Sequence, residues 1–235
     1  TYRLTAQSSR IDIKTEIDWH ERMMLVRTLF PTAIHTHEAV FETMFGVHKR
    51  PTHRNTTWER ARFEVSAHRF VDLSEPTYGV ALMNNGKYGH SAVDGVLGMS
   101  LVRGAMYPDP YADEGEHEFT YAFFPHVGDW VDAGVTYEAK ALIAPLLAVP
   151  VAEDAKESDA FVRNEGIRLG FGAMKKAHDR GGITLRVYEP HGIRGEASLV
   201  FDRPVKAAHR TNLLEEDAEG ADLVVDGTRV TFDVR

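Results

Sequence analysis

From Ser9 to Trp19 the residues alternate in character: Ile11, Ile13, Ile17 and Trp19 fall on one parity, and Asp12, Lys14, Glu16 and Asp18 on the other. Side chains of an extended strand point to opposite faces in turn, so this pattern predicts a strand with one wet and one buried face. Comparable runs recur at Met23–Phe30, Ala39–Phe45, Arg62–Val71, Tyr78–Met83, Val96–Arg103 and Glu118–Pro125, and Gly, Pro, Asn or Asp separate most of them. Runs this short and this closely spaced predict antiparallel sheets packed face to face. The first run lies so near Thr1 that the sheet is expected to have earlier strands upstream.

Further along, the two-residue period weakens. Val131, Val135, Ala139 and Ile143 fit one face of a short helix within Asp129–Leu147, although Val, Thr and Tyr are mediocre helix formers. The polar, acidic stretch Val151–Asp159 is the best candidate linker. Beyond it, Ile167–Ala173, Ile183–Tyr188 and Ala197–Phe201 alternate again, and Asp226-Gly227 predicts a type I′ hairpin between two final strands. The expected class is therefore all-β, with a large antiparallel β-sandwich over residues 1–155 and a smaller β-sandwich domain over 156–235.

Charge and composition exclude several partner classes. Lys and Arg number 27 against 35 Asp and Glu, a formal net charge of −8, with no block of like charge. That argues against a general nucleic-acid surface or an anionic membrane as partner. No apolar run approaches the roughly 20 residues of a membrane span, and no targeting segment is recognisable. With no cysteine, any metal site would have to be built from His and carboxylates.

Four features invite a chemical reading. The twelve histidines include close groups at His35/His37, His48/His53 and His117 beside Glu116 and Glu118, but no third zinc ligand follows from their spacing. Asp109, Asp113, Glu114 and Glu116 crowd one loop, as a carboxylate pair for glycoside hydrolysis or a calcium site would require and as a solvated acidic loop also would. The segment Asn84–Gly89 reads as a turn between strands in which Gly86 and Gly89 allow close backbone approach, presenting Lys87 and Tyr88 to a hydroxyl-rich ligand. Asn55-Thr56-Thr57 matches the N-glycosylation acceptor, a three-residue pattern that arises readily by chance.

Longer motifs say more. Asp18-Trp-His-Glu-Arg22, Arg50-Pro-Thr-His-Arg-Asn55, Ala61-Arg-Phe-Glu-Val65, Asp72-Leu-Ser-Glu75, Asn85-Gly-Lys-Tyr-Gly89, Ser100-Leu-Val-Arg103, His117-Glu-Phe-Thr-Tyr121 and Pro125-His-Val-Gly-Asp-Trp130 follow one another in order. Together with Leu185-Arg-Val-Tyr-Glu-Pro190 they resemble the C-terminal region of α-mannosidases of glycoside hydrolase family 38, in the branch that includes vacuolar and bacterial cytosolic enzymes. The resemblance implies that the larger unit is a mutarotase-like sandwich flanking a catalytic barrel. It places the zinc ion and the Asp nucleophile in that barrel, upstream of this chain, and expects no cofactor here.

The resemblance also implies that Asn85, Lys87, Tyr88 and Arg103 contribute to the rim of the sugar site. Arg103 would supply a donor fork for hydroxyl or carboxylate groups. Asp18, His20, Glu21, Arg54, Asn55, Asp72, Glu75 and His117 belong to family motifs and are expected to hold architecture. The implied partners are the enzyme's own catalytic barrel and mannose-containing glycans, with a homo-oligomer left open, and the implied location is cytoplasmic. Three activities compete: an accessory region inactive by itself, a freestanding carbohydrate-binding module using Tyr88, Tyr107, Tyr111 and Trp130 as platforms, and an aldose epimerase for which no acid/base pair can be named.

Overall fold

The computed structural model describes residues 1–150, 160–220 and 223–234. It divides into two compact units, Thr1–Leu147 and Ala148–Arg235. The expected linker Val151–Asp159, and with it the expected boundary after residue 155, lies outside the described residues.

In the first unit the strands are β1 (Tyr2–Leu4), β2 (Ile11–Trp19), β3 (Leu25–Pro31), β4 (Glu38–Thr43) and β5 (Gly46–Pro51), followed by a single helical turn, α1 (Thr57–Arg60). Then come β6 (Val65–Ser66), β7 (Phe70–Ser74), β8 (Tyr78–Asn84), β9 (Gly89–Val93), β10 (Val96–Arg103), β11 (Gly115–Val127) and the helix α2 (Val135–Ile143). They form a seven-stranded sheet ordered β1-β2-β11-β8-β7-β4-β5 and a four-stranded sheet ordered β3-β10-β9-β6, and all the pairings are antiparallel.

The main core lies between these sheets. Ile13, Phe41, Val71, Leu73 and Leu82 of the larger sheet meet Ala92, Leu97, Met99 and Leu101 of the smaller. Burying a large apolar side chain in this way contributes about 1.5–3 kcal/mol. The other face of the larger sheet has its own apolar layer, in which Phe70, Ala81, Met83, Ala122 and Phe124 pack with Trp130, Val135 and Ala139. The helix predicted within Asp129–Leu147 is present as α2 and closes a third layer through Val135 and Ala139; of the expected face, Val131 precedes the helix and Ile143 is exposed. Arg10 holds it in place, with Nη1 donating to the Glu138 carbonyl at 3.0 Å and to Glu138 Oε2 at 3.1 Å.

Strands β7 and β8 are consequently apolar on both faces, from Phe70 to Leu73 and from Val80 to Met83, except for Asp72. The run expected at Arg62–Val71 is two strands: β6 belongs to the four-stranded sheet and β7 to the seven-stranded one, so the chain changes layers between them. At that crossing the backbone N–H of Arg69 donates to Glu42 Oε2 at 2.8 Å, and the Arg69 guanidinium pairs with the same buried carboxylate.

A type I′ turn is realised at Asp94-Gly95, where φ is +50° and +76° and Val93 pairs with Val96. In the second unit, β12 (Val162–Gly166), β13 (Gly170–Lys176), β14 (Ile183–Tyr188), β15 (Gly195–Phe201), β16 (Val224–Asp226) and β17 (Arg229–Val234) make a four-stranded sheet, β12-β15-β17-β16, and a β13-β14 hairpin. Leu169, Ala197 and Leu199, packed with Phe171, Leu185, Val187 and Phe232, form the core of this smaller sandwich. The predicted Asp226-Gly227 turn is shifted by one residue: Asp226 pairs with Arg229, so Gly227 and Thr228 are central and the positive φ of +58° falls on Gly227 alone. The architecture is all-β as expected, and no helix among the described residues is long and apolar enough to cross a membrane.

Candidate functional site

Asn85–Tyr88 connects β8 to β9, between two strands as expected, and passes from the seven-stranded sheet to the four-stranded one. Asn84 holds the loop from within. It is 1% exposed, its Oδ1 accepts the backbone N–H groups of Gly86 at 2.9 Å and Lys87 at 2.6 Å, and its Nδ2 donates to the His68 carbonyl at 2.8 Å. His90 holds the loop from the β9 side. A carbonyl only accepts, so His90 carries its proton on Nε2 and donates to Lys87 O at 2.9 Å. Burial then lowers the His90 pKa to about 4, and the imidazole is neutral at physiological pH.

On this support the four expected rim residues take different positions. Asn85 continues the β8–β11 pairing: its N–H donates to Thr120 O at 3.2 Å and its Oδ1 accepts Thr120 N at 3.1 Å. Lys87 lays its Nζ 4.1 Å from the centroid of the Phe119 ring. Burial lowers its pKa and the charge of Asp113 opposes that shift, which puts one carboxylate of the acidic loop within electrostatic range of the ammonium. Tyr88 is 60% exposed and meets His68 edge-on at 5.8 Å.

Arg103 closes β10. Met99 pairs with His90, so β10 runs on past Gly89 toward the end of the sheet from which the loop emerges. Arg103 makes no hydrogen bond or ion pair with Asn85, Lys87 or Tyr88; it lines a pocket of about 400 Å³ with Met23, Met24, Leu25, Met106 and Tyr107. The structure therefore groups three of the four residues on one loop and sets the fourth in an apolar hollow beyond the end of β10. The anchors Asn84 and His90 were missed from sequence, although an Asn followed closely by Gly is a recognisable signal for side-chain capping of a turn.

The remaining candidates are engaged locally. His35 and His37 lie in the loop between β3 and β4, not on a strand, so they do not share a strand face, and among the described residues no group of three or more His, Asp or Glu side chains could hold a metal ion. Asp109 Oδ1 accepts Tyr111 N at 2.9 Å, Glu114 faces Arg22 at 3.8 Å, and His117 Nε2 donates to Asp113 O at 2.8 Å. Thr56 of the glycosylation-like triplet is the N-cap of α1 and forms a reciprocal capping box with Glu59. Trp130 is buried in the layer under α2 and cannot serve as a platform, whereas Tyr107 and Tyr111 are exposed.

One buried polar group lies on the α2 side of the larger sheet. Asp72 and His126 sit on β7 and β11, either side of β8, and His126 Nε2 donates to Asp72 Oδ2 at 2.8 Å. Ser74 Oγ donates to the other carboxylate oxygen. Burial pushes the Asp72 carboxyl above its ordinary range, and the hydrogen bonds from His126 and Ser74 work against that rise.

Residues 1–111 match the glycosyl hydrolases family 38 C-terminal domain, and residues 169–235 match the glycosyl hydrolases family 38 C-terminal beta sandwich domain. Alpha-mannosidase 2C1 of Mus musculus is 42% identical over 206 residues, covering 86% of this chain and 20% of its own length. The Homo sapiens protein of that name is 40% identical over 222 residues, covering 92% and 21%. This chain thus spans about a fifth of the length of these relatives. The crystal structure of an alpha-mannosidase from Enterococcus faecalis shares the fold with a TM-score of 0.80 at 19% identity, over 100% of this chain and 28% of that one. The ordered motifs, the two β units and the match of each unit to its own domain lead to one assignment: this chain belongs to glycosyl hydrolase family 38 and represents its C-terminal region.

Proposed function

We propose that this chain is the accessory C-terminal part of an enzyme that hydrolyses terminal α-mannosides of glycans. It packs on a zinc-dependent catalytic barrel outside the chain and lends Asn85, Lys87, Tyr88 and Arg103 to the rim of the sugar site. The carrying observation is that family 38 C-terminal domains match both β units, while relatives named alpha-mannosidase are about five times as long. The chemistry is assigned to the portion of those relatives that the present 235 residues do not span. The exposed Met23, Met24, Leu25, Met106 and Tyr107 around Arg103 supply an apolar surface suited to that packing. A cytoplasmic location is part of the same reading and rests only on the resemblance to the branch that includes vacuolar and bacterial cytosolic enzymes.

Incubating the chain with an aryl α-mannoside tests this reading; no turnover is expected, and zinc-dependent turnover by the chain itself overturns it. In the full-length enzyme, Lys87→Ala is expected to raise KM about tenfold with a smaller change in kcat, the scale of one charge-assisted contact. An unchanged KM removes Lys87 from the rim. The exposed rings of Tyr88, Tyr107 and Tyr111 favour a second reading, a freestanding carbohydrate-binding module. Calorimetric titration of the chain with mannose and mannobiose separates the two, since only the module releases heat.

A further inference from the structure

Arg50, Arg54 and Arg62 line a single pocket on the first unit, which Phe41, His53 and Glu59 also line. Arg50 comes from β5, Arg54 from the loop after it, and Arg62 from the segment that follows α1. None of the three forms an ion pair among the described residues. The pocket's one carboxylate, Glu59, is already engaged: it accepts Thr56 N at 2.8 Å and faces His53 Nδ1 at 3.4 Å.

Arg50 is the most constrained of the three. Its guanidinium lies 5.6 Å from the centroid of the Phe41 ring, and its Nε is buried without a hydrogen-bond partner. Burial and the nearby charge of Arg62 both lower its pKa, as expected where neighbouring cations lack a counter-charge. A buried guanidinium donor left unpaired is costly, and two further arginines at the mouth of the same pocket add repulsion. In a chain of net charge −8 this concentration of positive charge runs against the whole.

A planar guanidinium fork matches the geometry of phosphate and carboxylate oxygens, and an oxyanion would satisfy the Arg50 donor and neutralise the cluster together. We infer that this pocket binds one oxyanion, held by Arg50 at its wall and by Arg62 and Arg54 at its mouth. No residue of loop 85–88 lines the pocket, so the inference does not rest on the sugar-rim reading.

The test titrates the 235-residue chain with sodium phosphate at low ionic strength, followed by calorimetry and by the arginine Nε–Hε resonances. Saturable binding that moves the Arg50 resonance is expected. It should weaken about tenfold in Arg62→Ala, the scale of one lost charge-assisted hydrogen bond, and persist in Arg203→Ala, whose guanidinium pairs with Asp202 in the other unit. Arg62 is exposed, so its variant folds; Arg50→Lys keeps the charge but loses the fork and should also weaken binding. Sodium acetate, titrated in parallel, distinguishes the source. Preference for phosphate assigns a dissolved phosphate group, and equal or tighter acetate binding assigns a carboxylate. Failure of both probes to saturate, or undiminished binding in both Arg62→Ala and Arg50→Lys, overturns the inference.

Discussion

His126 Nε2 reaches Asp72 Oδ2 at 2.8 Å across an intervening strand, and Gly79 on that strand leaves the room for it. A Cβ at Gly79 would stand 2.2 Å from His126 Cε1 and 2.6 Å from Ser74 Oγ. The position is glycine because of what crosses over it, not because of a special φ.

Gly79→Ala should therefore destabilise the first unit by about 1–3 kcal/mol, the usual cost of overpacking. Urea denaturation followed by tryptophan fluorescence measures this. A loss under 0.5 kcal/mol, the range of a neutral surface change, would contradict the crossing.

His126→Ala leaves the Asp72 carboxyl fully buried with Ser74 as its side-chain donor, and about 3 kcal/mol should be lost. The carboxyl is raised in the folded state, so the fold keeps its proton to higher pH than the unfolded chain does. Its contribution is then full below the ordinary value of 3.8 and is lost as pH rises through the raised value. The single variant should weaken on that rise, and adding Asp72→Asn should flatten the profile. Parallel pH-dependent denaturation curves for the two proteins would count against this account.

His90 works in the opposite sense. Its pKa falls from 6.5 to about 4 on folding, so the unfolded chain binds the extra proton between those values and stability drops as pH falls through that window. The loss by pH 4.5 should be about 2 kcal/mol, at 1.36 kcal/mol per pKa unit. His90→Gln should remove that part of the slope, as read by thermal melts from pH 7 to pH 4.5.

Asn84→Ala deletes three hydrogen bonds at a buried position, to His68, Gly86 and Lys87. A loss of about 2–4 kcal/mol is expected, because the two loop N–H groups lose their acceptor. Hydrogen exchange should show Gly86 and Lys87 losing protection first; uniform loss across the unit would mean that Asn84 does not act on the loop.

Gly95 and Gly227 both occupy positive φ, at +76° and +58°, yet they differ in surroundings. A Cβ at Gly95 meets Thr32 O at 3.2 Å and Ile34 O at 3.3 Å, whereas one at Gly227 meets nothing within 4 Å. Alanine at Gly227 should cost about 1 kcal/mol from the backbone alone, and alanine at Gly95 distinctly more. Melting each variant against the parent ranks them.

Strand β2 was legible because one face is wet, so Ile11, Ile13, Ile17 and Trp19 stand apart from Asp12, Lys14 and Asp18. Strand β9 was not, because the residue it turns inward beside Ala92 is His90, and its other side chains are small. Strand β5 escaped notice for a related reason: Val47, His48, Lys49 and Arg50 carry no apolar alternation at the sheet edge. The layer change within Arg62–Val71 is hidden because β6 and β7 have compatible parity on both sides of it. At the candidate site, Lys87 and Tyr88 were accessible from composition and from resemblance. Their anchoring by Asn84 and His90 was not, because it depends on two strands from different sheets ending side by side.

Because loop 85–88 is staked to one layer at Asn84 and to the other at His90, it has the stiffness of the interior although it lies on the outside. A body settling against Lys87 and Tyr88 meets a surface whose ordering entropy was lost during folding, so little freedom remains to be surrendered on contact.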